Sequence, residues 1–185
     1  MHLWQEAQDC GLARHGYLLV VDATRQALVV WSRDGECASY PVSTAHKGLG
    51  NRENSHQTPT GWHQVADRIG HGCRVGSVFV ARRYDGEVVP RADWRAGGNR
   101  DLILTRILRL RGLEQGINCG PGVDSYRRFI YLHGTNQEQR LGRPASHGCI
   151  RLGNDDMLEL FRRIRGRPTW CWIGQLPKGS AKRRA

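Results

Sequence analysis

The residue with the clearest chemical potential is Cys149, which ends the sequence Ser-His-Gly-Cys at 146–149. A free thiol ionises at about pH 8.5, and a neighbouring imidazole or cation lowers that value and yields a thiolate that attacks carbonyl carbons. Gly148 permits a tight turn in which consecutive backbone N–H groups can point at one oxygen atom, as an oxyanion hole requires. This pattern predicts a cysteine nucleophile on a loop.

The best candidate for the general base is His133, which ends the apolar segment 129–132 and is followed by Gly134 and Thr135. A base fixed at a strand end opposite a nucleophile on a loop is the geometry that Cys/His catalysis needs. Cys73 is an alternative nucleophile, because it also follows a His-Gly pair. It lacks the preceding serine and a capped helix after it, so local sequence favours Cys149 without excluding Cys73.

The elements that must position these residues are mostly strands. Glycine is abundant, at 23 of 185 residues, and favours a turn-rich β architecture. The Leu-Arg alternation from 108 to 111 indicates a strand with one solvated face, and the polar segment 45–60 predicts an ordered loop that covers the site. Apolar and β-branched clusters predict strands over 17–21, 27–31, 37–43, 76–82, 102–110 and 129–133.

One helix is predicted over about 155–165, directly after the Cys149 segment. Asn154 is the expected N-cap, and Asp155 and Asp156 follow in the first turn, where negative charge is favourable. Apolar residues recur at helical spacing at 157, 160, 161 and 164, and Gly166 follows the last basic residues. This helix should hold the cysteine segment against a rigid element.

The formal net charge is +11, which raises the alternative of a nucleic-acid-binding protein. The basic residues are dispersed along the chain without interleaved aromatic residues, so we predict no nucleic-acid partner. Length and composition predict one catalytic domain over 1–177 and a flexible basic tail over 178–185.

No apolar stretch approaches the roughly 20 residues of a membrane-spanning helix. The polar residues in 1–16 do not fit a secretory signal, which predicts a cytoplasmic protein, with the periplasm as the alternative. The six cysteines are then expected to be reduced thiols.

Three histidines, His46, His56 and His63, together with Cys73 raise the question of zinc. Their spacings of ten and seven residues match no compact zinc pattern, so we predict no metal and no cofactor. The more probable roles of these side chains are in loop packing or at the surface. Four tryptophans are expected to be core or rim aromatics rather than sugar platforms: Trp62, Trp94, Trp170 and Trp172.

Taken in order, these segments resemble the L,D-transpeptidase catalytic (YkuD-type) domain family. The resemblance is carried by Tyr-Leu-His-Gly-Thr at 131–135 and Ser-His-Gly-Cys-Ile-Arg-Leu at 146–152. Weaker matches are Tyr-Pro-Val-Ser-Thr at 40–44, Thr-Pro-Thr-Gly at 58–61 and Gly-Arg-Pro-Thr at 166–169. The order of the segments settles Cys149 over Cys73.

The resemblance implies a mainly β, sandwich-like fold with one well-defined helix after the nucleophile. It implies that Cys149 is the nucleophile, that His133 is the base, and that the backbone carbonyl of Ser146 orients the histidine. Backbone N–H groups of His147, Gly148 and Cys149 would form the oxyanion hole. It also places Tyr131, Gly134 and Thr135 beside the substrate.

Arg151 has two open interpretations. Its planar guanidinium suits a bidentate clamp on a substrate carboxylate. An ion pair with Asp155 or Asp156 is equally compatible with the sequence.

The activity that the resemblance implies is cysteine acyl transfer on peptidoglycan stem peptides. The thiolate would attack the carbonyl between the L-centre of the diamino acid and a terminal D-alanine. Water as acceptor gives an L,D-carboxypeptidase acting on muropeptides, which we favour because no export signal is seen. An amine as acceptor gives an L,D-transpeptidase that forms 3→3 cross-links or attaches lipoprotein. Carbapenem-type β-lactams are expected inhibitors.

Overall fold

Ten strands form a single hydrogen-bonded sheet in a computed structural model that describes residues 2–11, 15–96 and 100–176. The strands are β1 (Tyr17–Asp22), β2 (Ala27–Ser32), β3 (Gly35–Ser43), β4 (Gly61–Ile69), β5 (Ser77–Val80), β6 (Arg83–Val88), β7 (Ile103–Gly112), β8 (Tyr131–Gly134), β9 (Ile150–Leu152) and β10 (Thr169–Gly174). The helices are α1 (His2–Asp9) and α2 (Asn154–Arg163), with short 3₁₀ helices at Arg91–Arg95 and Glu138–Arg140. The mainly β fold is confirmed.

The sheet closes on itself. Its order is β4-β10-β1-β2-β3-β9-β8-β7-β5-β6, and β4 also pairs with β7. Eight strands therefore form a ring, and the β5–β6 hairpin branches from the first half of β7. Closure removes most of the exposed strand edges that would otherwise invite association.

The helix α2 fills the main hydrophobic core. Met157, Leu160, Phe161 and Ile164 are buried against inward-facing residues of β1, β2, β3, β7, β8 and β9. The helix after the nucleophile is thus confirmed, but its cap differs from the prediction. Gly153 is the N-cap and makes no side-chain cap bond, whereas Asn154 is already helical and turns its amide to neighbouring strands and loops.

The helix α1 was not predicted. It packs on the outer side of β1, where Leu18 and Val20 meet Ala7, while Leu19 and Val21 face the core. Both faces of β1 are covered, which explains the unbroken apolar run at 17–21. Trp62, Trp170 and Trp172 pack around α1 and Trp94 lies in a separate buried cluster, so the tryptophans are core and rim residues as predicted.

Several strand predictions need correction. The strands β4, β6 and β9 were not predicted, and β8 begins at Tyr131 rather than at Phe129, whose φ of 56° is outside the β region. The solvated face expected on β7 is wrong at Arg109, which is buried because Tyr126 covers it. Its guanidinium lies 3.3 Å from the Tyr126 ring centroid and donates to the Tyr126 carbonyl at 2.7 Å.

Among the described residues, no helix is long and apolar enough to cross a membrane. The six cysteines are unpaired. The basic tail predicted for 178–185 lies outside the described residues, and the single domain over 1–177 stays a prediction.

Arg68 of β4 ties the sheet to the end of α2. Its guanidinium donates to the carbonyls of Phe161 and Ile164 and lies 4.8 Å from the Phe161 ring centroid. The last carbonyls of a helix have no hydrogen-bond donor within the helix. Arg68 supplies donors to two of these carbonyls.

We expect Arg68→Ala to lower the free energy of unfolding by about 1–3 kcal/mol, because two helix-end carbonyls lose charged donors. Urea unfolding followed by circular dichroism measures the change. Arg33→Ala, at an exposed turn between β2 and β3, is the matched control and should stay within about 0.5 kcal/mol of the parent. Equal midpoints for Arg68→Ala and the parent would show that the contact contributes nothing.

Candidate active site

The pairing of β8 with β9 sets which side chains meet. The two strands are parallel, with Leu132 opposite Ile150 and His133 opposite Arg151. Leu132 and Ile150 are buried in the main core. Because side chains alternate along a strand, His133 and Arg151 lie on the opposite face.

Cys149 lies two residues before Arg151 and therefore at the same face as His133. In ideal strand geometry, the Cα atoms of such diagonal neighbours are roughly 8 Å apart, within reach of an imidazole and a thiol. The thiol donates to the carbonyl of Phe129 at 3.4 Å and receives a hydrogen bond from the backbone of Tyr131. The sulfur is thus fixed against the chain that leads into β8.

The environment keeps the thiol of Cys149 neutral at rest. Burial raises its pKa to about 11, and the nearby Asp101 carboxylate adds to the rise. The hydrogen bond from Tyr131 and the cations of Arg151 and Arg128 act in the opposite direction. A neutral thiol needs a base to become a nucleophile.

His133 is suited to be that base. Its side chain is buried, with 3% of its surface exposed, and burial holds its pKa well below the usual range, so the ring is neutral. Its Nδ1 lies 2.6 Å from the carbonyl oxygen of Gly134. A carbonyl only accepts, so Nδ1 carries the hydrogen and Nε2 is the basic nitrogen.

The carbonyl that orients His133 is therefore that of Gly134, and the role expected for the Ser146 carbonyl is not seen. The Ser146 carbonyl instead accepts from the N–H of His46 at 2.9 Å. Gly134 is buried, and a Cβ on it would lie 2.3 Å from Asn154 Oδ1 and 2.9 Å from the carbonyl of Leu104. The absence of a side chain at Gly134 lets the chain approach these groups while its carbonyl reaches the ring.

The side chain of Ser146 shapes the nucleophile turn. Its hydroxyl donates to the carbonyl of Cys149 at 2.6 Å and accepts from the N–H of Gly148 at 3.2 Å. Gly148 has a φ of 136°, which only glycine adopts readily. The N–H of Gly148 is therefore occupied, and the oxyanion role remains a prediction for the N–H groups of His147 and Cys149.

Within the described residues, Arg151 does not form the ion pair predicted with Asp155 or Asp156. Its side chain is buried, with 1% of the residue exposed, and it donates to Asp101 at 2.5 Å and to Gln137 at 3.0 Å. Asp155 instead pairs with Arg91 at 2.7 Å. Burial therefore excludes Arg151 from clamping a substrate carboxylate in this conformation.

The same Asp101 carboxylate lies 3.0 Å from Nδ1 of the exposed His147. Asp101 thus joins the nucleophile turn to the buried guanidinium of Arg151. Asp101 was not predicted as a site residue, because it lies far along the chain from both partners.

The other residues expected beside the substrate are buried. Tyr131 packs against the half-buried Cys149 and its hydroxyl bonds to Arg82, while burial raises the pKa of Tyr131. The hydroxyl of Thr135 accepts from the N–H of Gln137 at 3.1 Å, and its carbonyl accepts from the amide of Asn154 at 2.8 Å. Direct substrate contact by Gly134 and Thr135 is therefore not supported, because the chain after β8 turns into the protein.

Arg128 was not identified from the sequence. Its guanidinium donates to the carbonyls of Gly50, Asn51 and Gln57 at 3.2, 2.9 and 2.7 Å, so it fastens the loop expected over the site. Thr58, in the same loop, donates to the carbonyl of Gly148 at 2.9 Å. The loop therefore contacts the nucleophile turn, and a cation lies close enough to lower the pKa of Cys149.

A cavity of about 240 Å³ lies between this loop and the start of β8. Its lining includes Glu53, His56, Arg127, Arg128, Phe129 and His147. Phe129, whose carbonyl accepts the thiol hydrogen of Cys149, lines this cavity together with His147, so the cavity lies next to the turn that carries Cys149.

The surface or loop-packing role predicted for the histidines is wrong for His63, which lies in a buried position within a strand. His63 is buried on β4, where its ring nitrogens contact the Gly61 carbonyl and the Ser125 hydroxyl, and burial lowers its pKa to about 4. His46 and His56 line different cavities. Within the described ranges, no group of three or more His, Cys, Asp or Glu side chains is placed to hold a metal ion.

Comparison with known proteins identifies the family. The profile of the YkuD family, the L,D-transpeptidase catalytic domain, matches residues 16–177. The chain therefore belongs to the L,D-transpeptidase catalytic domain family. A curated relative, "Putative L,D-transpeptidase YqjB" of Bacillus subtilis (strain 168), is 46% identical over 37 residues, which are 20% of this chain and 21% of the relative.

Solved structures share the fold at low identity. L,D-transpeptidase 3 from Mycobacterium tuberculosis aligns with a TM-score of 0.52 and 13% identity, over 86% of this chain and 61% of that chain. The L,D-transpeptidase LdtMt1, solved in complex with imipenem, aligns with a TM-score of 0.50 and 15% identity, over 86% of this chain and 59% of that chain. The match thus spans about three fifths of these proteins.

The raised pKa of Cys149 predicts how its alkylation depends on pH. Only the thiolate reacts with iodoacetamide, and below its pKa the thiolate fraction rises about tenfold per pH unit. We expect the rate at Cys149 to rise in this way between about pH 7 and 9, measured by mass spectrometry of the peptide that contains it. A rate that levels off below pH 8 would contradict a buried, neutral thiol.

The Arg128 cation can be tested in the same assay. Arg128→Gln removes a charge that lowers the pKa of Cys149, so alkylation should be slower at each pH than in the parent. Arg128→Lys keeps the charge and should retain most of the rate. Arg127→Gln, on the same cavity, is the control, and an equal effect of the two glutamine variants would exclude a specific role for Arg128.

Proposed function

We propose that this protein is an L,D-carboxypeptidase that removes the terminal D-alanine from tetrapeptide stems through a thioester on Cys149. The observation that carries the proposal is the placement of Cys149 and His133 on one face of the β8–β9 pair, with the sulfur beside a cavity. The nucleophile and base support acyl transfer to either acceptor. The choice of water as the acceptor is proposed in addition.

The first half of the reaction forms the thioester. Nε2 of His133 takes the proton of the Cys149 thiol, and the thiolate attacks the carbonyl of the L-centre of the diamino acid. The N–H groups of Cys149 and His147 stabilise the oxyanion. Protonated His133 gives its proton to the departing amine, and D-alanine leaves.

The second half releases the product. Water enters the position vacated by D-alanine, and His133 takes its proton as the water oxygen attacks the thioester carbonyl. The proton then passes to the sulfur, and the tripeptide stem leaves with a new carboxylate. The Gly134 carbonyl holds the imidazole in one tautomer through both halves.

Burial of the catalytic pair supports this order of events. The burial that raises the pKa of Cys149 and lowers that of His133 disfavours a resting thiolate–imidazolium pair. Charge therefore develops during attack, where the oxyanion donors and the nearby Arg128 stabilise it. The net charge of +11 favours encounter with stems that carry carboxylates.

The second candidate function is L,D-transpeptidation. It has the same thioester and differs in the acceptor, an amine of another stem in place of water. It is favoured by the similarity to a putative L,D-transpeptidase of Bacillus subtilis and to solved L,D-transpeptidases.

Incubation with a disaccharide tetrapeptide separates the two functions. We expect free D-alanine and tripeptide, with loss of at least about 10³-fold in rate for Cys149→Ala and for His133→Gln, because nucleophile and base act as one unit. Products are measured by liquid chromatography and mass spectrometry. A cross-linked dimer as the main product would assign transpeptidation, and full activity of Cys149→Ala would exclude the thioester.

Carbapenem-type β-lactams should acylate the same sulfur. Structures of two relatives are titled as an imipenem complex and a faropenem-derived adduct, and the thiol here has the same acyl chemistry available. We expect the intact mass to increase by one imipenem-derived acyl group, located by peptide mapping on Cys149. An adduct that persists in Cys149→Ala would place the reaction elsewhere.

A further inference from the structure

A second cavity, of about 490 Å³, adjoins the nucleophile turn and has no role in the reaction described above. It is lined by His46, Arg140, Arg143, Pro144, Ala145 and His147. His147 also lines the cavity beside Cys149. A ligand in the second cavity therefore lies next to the turn that carries the nucleophile.

The backbone of this cavity is fixed before any ligand arrives. The segment 142–146 is joined to the end of β3 and the residues after it by a series of hydrogen bonds. These are Gly142 N–H to Val42 at 2.9 Å, Ala145 and Ser146 N–H to Thr44 at 2.8 and 2.9 Å, Ser43 Oγ to the Arg143 carbonyl at 2.7 Å, and His46 N–H to the Ser146 carbonyl at 2.9 Å. Because these hydrogen bonds already order the backbone, less conformational entropy is lost when a ligand binds.

The lining carries positive charge that the described protein does not neutralise. Arg140 and Arg143 are exposed, and within the described ranges neither pairs with a carboxylate. Some other surface arginines are paired, as Arg100 is with Glu87. The lining contains no acidic residue, and although His147 contacts Asp101, the two guanidinium groups and the imidazole of His46 form a site for an anion.

We propose that this cavity binds a carboxylate of the stem peptide whose carbonyl Cys149 attacks. The inference rests on the proposed function. Guanidinium groups bind carboxylates through paired N–H donors. In the protein, the Cα atoms of His147 and Cys149 are two residues apart and therefore at most about 7 Å from each other. In the stem peptide, the carbonyl that reacts and a carboxylate on the neighbouring residue are separated by a similar distance.

Three carboxylates of a tetrapeptide stem have this chemistry. They are the free carboxylate of the D-glutamate at position two, the second carboxylate of the diamino acid, and the terminal carboxylate of D-alanine. The first two remain on the substrate throughout the reaction, whereas the third leaves with D-alanine. Each can be replaced by an uncharged amide.

The arginines should act on substrate binding and leave the chemical step unchanged. Neither contacts Cys149 or His133 in the described structure, and a contact made equally in ground and transition states changes KM without changing kcat. We expect Arg140→Gln/Arg143→Gln to raise KM at least about tenfold, as loss of a charged hydrogen bond allows, with kcat within about twofold of the parent.

The experiment measures D-alanine release from the tetrapeptide by the parent, the double variant and Arg162→Gln. Arg162 is exposed on α2, so its substitution controls for loss of one surface charge. Alkylation of Cys149 by the neutral reagent iodoacetamide, at the parental rate, shows that the double variant keeps an intact site. The KM of the parent should rise with salt, and that of the double variant should rise less.

Three amidated tetrapeptides identify the carboxylate. When the carboxylate that binds the cavity is amidated, the KM of the parent should rise to the value that the double variant has for the unmodified stem. The parent and the double variant should then have the same KM for the amidated stem. An unchanged KM in the double variant, a loss confined to kcat, or an arginine effect that persists on all three amidated stems would each overturn the inference. Absence of turnover by the parent on every stem would instead overturn the proposed function.

Discussion

The parallel pairing of β8 with β9 is the constraint on which the site depends. It places His133 opposite Arg151 and aligns the odd-numbered residues of both strands on one face. A shift of one residue in either strand would turn its polar side chains into the core and its apolar ones outward. Because Leu132 and Ile150 are buried in the main core, hydrophobic packing fixes the register that brings base and nucleophile together.

The polar face has an energetic cost that neighbouring groups offset. A buried guanidinium is expensive unless it is paired, and Arg151 has both the Asp101 carboxylate and the Gln137 amide oxygen. Cys149 and His133 avoid the same cost by remaining neutral, which their shifted pKa values express. The site thus holds one fixed ion pair, between Arg151 and Asp101, beside two neutral side chains, the proposed base His133 and the proposed nucleophile Cys149.

Sequence reasoning succeeded where the structure is determined by neighbouring residues. The Ser-His-Gly-Cys turn, the helix after it and the strand before His133 were each readable from neighbouring residues. It failed for Asp101 and Arg128, whose partners lie about 50 and 70–80 residues away along the chain. It also failed for Arg151, since only the fold shows which of several acidic residues comes within reach and whether the side chain is covered.

Asn154 was correctly predicted to be important at the start of α2, but the role predicted for its side chain was wrong. Its side chain was expected to cap α2, but its Oδ1 accepts from the Thr105 hydroxyl at 2.5 Å and its amide donates to Thr135 and Glu138. These bonds tie the start of the core helix to β7 and to the chain after β8. Gly134, which holds His133, has no Cβ and so leaves room for Asn154. The orientation of the base and the docking of the helix therefore depend on the same close approach, which couples catalytic geometry to the core.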